Sequence, residues 1–464
     1  MKEIVKKLPE PVMQPIRYMM GCLPPRFRYG RVFRQSYDFL DNSQWWNKER
    51  LQEYQMNRLE QLLHHAYRNV PYYRRVFQEM ALRPDSIKDF GDMNKLPFLT
   101  KTIIQNNIHD LVAENYPRSR LESVSTGGST GDPLGFYHER GISAAREKAF
   151  IFALWSRVGF KAGDKCVELR GNILQSKKGG TFWMYNPAEK ILRLSSYQMT
   201  DETLPKYIEK IRQFRPDFFH VYPSSIMILG KFMKERSIRP FHSVKALLCA
   251  SENIYSWQRE LLEDVFQCRV FSFYGHSERA VLAGECEKSI SYHISPEYGF
   301  TEIVDERGIP VEKDGETGEI VATGFNNQAM PFIRYKTGDI AVYSSKTCTC
   351  GRNYPLIERI RGRIQDFLLS RKNHLIPLST IQYEALGDSN FVRQFQFYQE
   401  KAGEVVVNIV KAQDYTKEEE RRISRALQKG VSGDIEFHFE YKDLIPRTSG
   451  GKRRLLIQKL PSPE

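Results

Sequence analysis

The chain is predicted to be an α/β protein: a large N-terminal domain with helix-covered parallel sheets, followed by a small C-terminal α+β domain. Three observations predict this. Apolar strands alternate with amphipathic helices through the middle of the chain. Near Arg361–Asp366 the pattern changes to short strands around one charged helix. The length, 464 residues, exceeds the size at which a single core stops growing.

Taken in order, residues 45–80 read as a helix, with Leu51, Tyr54, Leu59, Leu62, Leu63 and Ala66 at helical spacing and Pro71 as its stop. Leu204, Tyr207, Ile208, Ile211 and Phe214 repeat with the same period behind Thr200-Asp201, a predicted cap. A strand at Phe218–Tyr222 follows. A second helix carries Ile226, Leu229 and Phe232 and leads to a buried strand, Val244–Ala250. A third carries Trp257, Leu261 and Val265 and leads to the strand Arg269–Tyr274. Such alternation builds parallel sheets covered on both faces, and ligands bind beyond the carboxyl ends of their strands. Those ends carry Ser251-Glu252 and Tyr274-Gly275, the first places expected around a ligand. The small domain is read from strands at Gln394–Tyr398, Glu404–Val410 and Ile435–Phe439 and a helix at Lys417–Lys429. The expected division is residues 1–362 and 363–464.

Composition narrows the function classes. Apolar residues at 41% and charged ones at 27% are globular values, and no apolar run is long enough to span a bilayer. The N-terminus lacks the features of a secretory signal, so a cytoplasmic location is expected. Seven scattered cysteines do not make a disulfide framework. The net charge is +13, but no long basic block or nucleic-acid motif accompanies it, and no nucleic-acid partner is expected. Residues 1–35 hold eight Lys/Arg against two acids, interleaved with aromatic and Met side chains. That stretch reads either as a basic arm packed on the domain or as a peripheral membrane contact.

The segment Ser125-Thr126-Gly127-Gly128-Ser129-Thr130-Gly131-Asp132-Pro133 is dense in glycine and hydroxyls, which by itself suits either a loop cradling a polyphosphate or a flexible linker. It lacks the Gly-Lys-Ser/Thr ending of a Walker loop. Four further segments follow: Tyr274-Gly275-His276-Ser277-Glu278, Arg334-Tyr335-Lys336-Thr337-Gly338-Asp339, Arg361-Gly362-Arg363-Ile364-Gln365-Asp366 and Pro446-Arg447-Thr448-Ser449-Gly450-Gly451-Lys452. Together the five resemble, in order, the motifs of the adenylate-forming superfamily, the acyl-CoA synthetases and their relatives. The resemblance implies ATP-dependent activation of a carboxylic acid to its acyl-AMP, with transfer of the acyl group to an acceptor.

It also implies roles. Thr126, Gly127, Gly128, Ser129, Thr130 and Gly131 would bind the phosphates, with Thr130 also catalytic. Glu278 would ligate Mg²⁺, a hard cation suited to carboxylate oxygens. Tyr274 would face adenine, and Asp339 the ribose hydroxyls. Ser251, Glu252, Gly275, Ser277 and Arg363 would complete the nucleotide site. Lys452 would reach the α-phosphate and carboxylate oxygens, and rotation of its domain would separate adenylation from transfer. A non-catalytic nucleotide-binding scaffold is the alternative class, and it would need no such complete set.

Within the superfamily the chain is similar to the phenylacetate–CoA ligase group, in its capsular-polysaccharide-associated branch. The likeness rests on His65–Tyr73, Leu96–Lys101, Gly284-Glu285-Cys286 followed by His293, and Cys348-Thr349-Cys350-Gly351-Arg352. Cys286, His293, Cys348 and Cys350 offer three thiolates and an imidazole, a closed tetrahedral sphere for structural zinc. The acceptor stays open among an amine, a hydroxyl and the CoA thiol. Lys372 stands where the resemblance expects a glycine in the loop lining the pantetheine tunnel, which argues for a non-CoA acceptor, and Gln365 occupies the hinge position where the resemblance expects Asp or Lys. Phe136, Tyr137, His138, Tyr222 and Pro223 are candidate walls of the acid pocket.

Overall fold

A computed structural model describes residues 10–126, 134–172, 182–363, 367–372, 375–378, 386, 391–412, 415–429, 431, 434–447 and 453–460. The chain divides into two compact units. The first comprises Met1–Gly163, Pro187–Glu189 and Phe271–Ile360; the second comprises Asp164–Asn186, Lys190–Val270 and Arg361–Glu464.

The first unit opens with helices. Its longest, Lys48–Asn69, is capped by the Asn47 side chain, which accepts from the Arg50 amide. Pro71 does not merely stop this helix: it occupies the first turn of the next, Pro71–Glu79, where a missing N–H costs nothing. The predicted single helix over 45–80 is therefore two, and the second adds Tyr73, Val76 and Phe77 to the buried set. A hairpin follows, β1 (Leu121–Ser125) against β2 (Gly135–Glu139).

The second unit begins with β3 (Cys166–Asn172), β4 (Trp183–Asn186), β5 (Ile191–Ser195), β6 (Phe218–Val221) and β7 (Ala246–Ala250). β5, β3, β6 and β7 run parallel in that order, as the strand–helix alternation predicts, and β4 adds an antiparallel edge. The helix Leu204–Phe214 starts beyond the predicted cap. Thr200 closes the preceding turn, Pro205 fills the first turn, and the left-handed Arg215 ends the helix. It buries Leu204, Tyr207, Ile208 and Ile211, the residues its period selects. Helix Pro223–Glu235 buries Ile226, Leu229, Phe232 and Met233.

The first unit resumes at Phe271 within β8 (Arg269–Gly275) and continues through β9 (Leu282–Gly284), β10 (Tyr292–Ile294), β11 (Gly299–Val304), β12 (Thr317–Gly324), β13 (Tyr335–Ser344) and β14 (Leu356–Arg363) as far as Ile360. Pairing is antiparallel for β8 with β9, β9 with β10, β10 with β14, β11 with β12 and β12 with β13. Its spatial order is β11-β12-β13-β14-β10-β9-β8. Leu59, Leu63 and Ala66 of the long helix join Phe136, Ala283, Ile320 and Phe332 in this unit's core.

The second unit ends with β15 (Phe367–Leu369), β16 (Leu375–Pro377), β17 (Val392–Lys401), β18 (Glu404–Lys411), β19 (Glu436–Tyr441) and β20 (Leu456–Gln458). The last four form a sheet ordered β19-β18-β17-β20. Helix Lys417–Lys429 buries only Ile423 and Leu427, an apolar stripe too narrow to hold it without the sheet beneath. Lys231 donates to the Val392 carbonyl and Arg393 pairs with Asp201, so the helix Pro223–Glu235 meets this sheet inside one unit.

Candidate active site and metal centre

Two carboxylates anchor the first unit's polar cluster. Glu278 lies just past the end of β8, and its two oxygens accept separately. His276 Nδ1 stands 3.0 Å from Oε2, and the Tyr335 hydroxyl donates to Oε1 at 2.9 Å. Burial pushes the Glu278 carboxyl up, but the His276 charge and these hydrogen bonds outweigh it and hold the group at about 2. Asp339, on β13, accepts from the Tyr274 hydroxyl at 2.7 Å. Burial and this carboxylate keep the Tyr274 phenol well above its ordinary value, so it remains a donor. Gly338 adopts φ +76°, a left-handed turn that suits glycine, and its amide donates to Glu319.

The hairpin reaches the same region. His138 of β2 donates through Nε2 to the Ser277 carbonyl at 2.9 Å, and burial holds its imidazole down at about 4. Thr126 closes the base of the hairpin loop: its amide donates to the Leu134 carbonyl and its hydroxyl accepts from the Leu134 amide. Gly127, Gly128, Ser129, Thr130 and Gly131 lie outside the described residues, as does Lys452. Arg363 ends β14, but its side chain is outside the description. Of the candidate pocket walls, Phe136 is a core residue that meets His138 edge-on and Phe332 at a tilt.

In the second unit Ser251 follows β7 in the left-handed region, φ +67°, and accepts from Arg170 at 2.9 Å. Glu252 accepts from the Ser224 amide and hydroxyl at 2.8 and 3.0 Å, a negative charge on the first turn of helix Pro223–Glu235. Arg447 donates to Ser225 in the same turn.

Arg334 shows what the sequence conceals. It sits in a motif read as nucleotide-binding, yet it is 3% exposed and its guanidinium is consumed by the fold. It pairs with both oxygens of Glu302 at 3.1 and 2.9 Å and donates to the Leu96 carbonyl and to Asn94. Arg334→Ala is expected to cost about 3–5 kcal/mol in urea unfolding, because Glu302 is left charged and buried. Replacing both residues with Met should recover most of that loss; no recovery would mean the pair is not the cause.

Cys286, His293, Cys348 and Cys350 converge, their donor atoms all within 4.8 Å of one another. Cys286 and Cys348 sulfurs are 3.6 Å apart, and Cys350 Sγ is 3.3 Å from His293 Nε2. Four donors about 2.3 Å from a central ion stand roughly 3.8 Å apart, so the set fits a tetrahedral zinc. The His293 Nδ1–H donates to the Ser291 carbonyl and turns the Nε2 lone pair inward. Burial pushes the Cys286 thiol up to about 12, so a thiolate there needs a cation beside it. β10 makes the site: it pairs with β9 through His293 and Gly284 and with β14 through His293 and Leu356. Sequence reasoning named all four residues of this cluster but missed the partners of Glu278. Tyr335 and Glu278 are 57 residues apart and no local pattern links them.

Known proteins resemble this chain in sequence and in fold. Residues 368–459 match the family model of the CapK C-terminal domain. The chain is 27% identical over 416 residues to Protein CapK of Staphylococcus aureus, covering 88% of this chain and 89% of that one. It is 30% identical over 337 residues to a phenylacetate-coenzyme A ligase of Aromatoleum evansii, covering 71% and 74%. The fold matches a 2-hydroxyisobutyryl-CoA ligase in its postadenylation state, in complex with 2-HIB-AMP, with TM-score 0.72, 18% identity and 90% and 93% coverage. The chain therefore belongs to the phenylacetate–coenzyme A ligase family and is an ATP-dependent, AMP-forming ligase.

Proposed function

We propose that this enzyme adenylates a small carboxylic acid and then passes the acyl group to an amine or hydroxyl acceptor in surface-polysaccharide synthesis. The observation that carries the adenylation half is the convergence of Tyr274–Asp339 and His276–Glu278–Tyr335 within one unit. In this reading Asp339 accepts from the ribose hydroxyls, and Tyr274, held by the same carboxylate, presents its ring to adenine. A carboxylate has about four lone-pair sites, so both acids keep acceptor capacity beyond their protein partners. Glu278, held ionised, is the ligand for Mg²⁺, which when bound offsets phosphate charge. The loop Thr126–Gly131, with Ser129 and Thr130, stabilises the triphosphate, while Ser251, Glu252, Gly275, Ser277 and Arg363 frame the nucleotide. Lys452, in a mobile domain spanning 363–464, neutralises charge between the α-phosphate and the acid. Cys286, His293, Cys348 and Cys350 hold a structural Zn²⁺. Use of ATP supports a cytoplasmic setting.

The likeness of 88% of the chain, and of its C-terminal domain, to CapK supports a polysaccharide-associated role. The CoA thiol is the second reading, favoured by the ligases of Aromatoleum evansii and Pseudomonas putida. Lys372, offered by the sequence as an obstruction, is exposed and stands 3.6 Å from Asp434, so its ammonium is drawn along its own domain. Two assays decide. Acid-dependent exchange of pyrophosphate into ATP across a panel of carboxylic acids tests adenylation, and no exchange with any acid would count against it. Adding CoA or an amino sugar to the exchanging acid then tests the acceptor, and rapid thioester formation would replace the first acceptor with the second.

A further inference from the structure

We infer that the N-terminal segment Arg17–Arg34 is a preformed docking surface for an anionic lipid bilayer. Among the described residues fourteen large apolar side chains are exposed, and five of them, Tyr18, Met19, Met20, Leu23 and Phe27, fall within ten residues of sequence. Met19 is 73% exposed and Phe27 59%, while singly scattered apolar residues are what an ordinary surface shows. The same stretch carries one sign of charge. Between Glu10 and Asp38 there is no acid, and arginine occurs at 17, 26, 28, 31 and 34.

The turn is held rigidly. Arg28 donates to the carbonyls of Met20, Gly21 and Leu23 at 3.1, 2.6 and 2.9 Å, tying helix Glu10–Cys22 to helix Pro25–Arg28. Gly21 lies against Pro187: a Cβ there would come within 2.4 Å of the Pro187 carbonyl oxygen, so only glycine fits. Beneath the turn, Tyr29 and Phe33 both meet Phe152 edge-on, with ring centroids 5.5 Å apart, and Lys148 caps the Tyr29 ring. The base is buried and fixed while the apolar tips project. Little ordering is then lost on insertion, which is how a preorganised surface gains affinity.

The chemistry that matches apolar tips flanked only by cations is the boundary of an anionic bilayer. There the tips enter the acyl region and exposed Arg31 and Arg34 meet headgroup phosphates. No helix among the described residues is long and apolar enough to cross a membrane, so the contact is peripheral. The inference stands apart from adenylation, since none of these residues is assigned to the nucleotide site.

The full chain is to be sedimented with vesicles of phosphatidylcholine alone or mixed with phosphatidylglycerol. Binding to the mixed vesicles is expected to be at least about tenfold tighter and to weaken with salt. Met19→Ser with Phe27→Ser, and separately Arg31→Glu with Arg34→Glu, should each abolish it while pyrophosphate exchange matches the parent, which shows the fold intact. Equal binding to neutral vesicles, or unchanged binding by both variants, would overturn the inference. So would light scattering that showed a dimer dissolved by Phe27→Ser, because the tips would then serve a second copy of the chain.

Discussion

Lys452→Ala is expected to reduce acid-dependent pyrophosphate exchange by about 10²–10³-fold, with thermal unfolding unchanged. The size follows from the reaction proposed for this site. Joining a carboxylate to an α-phosphate brings two anions together, and removing one fixed positive donor from such a centre typically costs that factor. The fold should not notice, because both ends of the loop are held elsewhere. Arg447 donates to Ser225 on one side, and β20 pairs with β17 on the other. The flanks are cationic: burial and then the charge of Arg447 push the Arg453 guanidinium down to about 9, against the opposing pull of Glu252. A cation-rich approach of this kind suits an anionic ligand. Lys452→Arg keeps the charge but moves it along a longer, planar head, so it should recover only part of the rate. Full exchange in Lys452→Ala would remove this residue from the mechanism, whereas loss accompanied by a lowered unfolding temperature would assign it to structure.

The parts of the fold that were legible are those written in one local period. Ala246–Ala250 is buried at every position, and Leu204, Tyr207, Ile208 and Ile211 recur at helical spacing, so strand and helix announce themselves. Discontinuity was not legible. The first unit is assembled from separated stretches of chain, and no periodicity records which strand returns to which unit. The site divides in the same way. Tyr274, Glu278 and Asp339 stood out because their segments resemble, in order, the motifs of the adenylate-forming superfamily. Tyr335 carries the same kind of contact but reads as an apolar strand residue, and its hydroxyl finds Glu278 only through the tertiary fold. Arg334 is the opposite case: a charged residue within a segment that resembles a ligand motif, whose donors the interior uses up. The candidate metal ligands lay between these cases. Their residue types were plain, but the gap between His293 and Cys348 is closed by the antiparallel pairing of β10 with β14.

Cys348→Ala with Cys350→Ala is expected to remove one zinc per chain and to lower unfolding stability by at least about 4 kcal/mol, the scale on which metal loss stands out from ordinary substitutions. The argument starts from charge. Three thiolates on a dication leave a net charge of −1, and the arginines beside the cluster answer it. Buried Arg157 donates to the carbonyls of Gly284 and Glu285, and Arg352 pairs with Glu287 while its guanidinium lies over Trp45. Arg352 also donates to Gln44, and Asn353 to the Trp46 carbonyl, so the Cys348–Cys350 turn fastens the end of helix Gly30–Ser43 to the sheet. Loss of the ion would leave buried thiols beside two cations and release that fastening. Chelation of the parent protein should reproduce the variant's unfolding, and added zinc, but not magnesium, should reverse it. Elemental analysis finding no bound zinc in protein purified without chelator, together with a variant as stable as its parent, would show that the four residues are a thiol cluster held by packing alone.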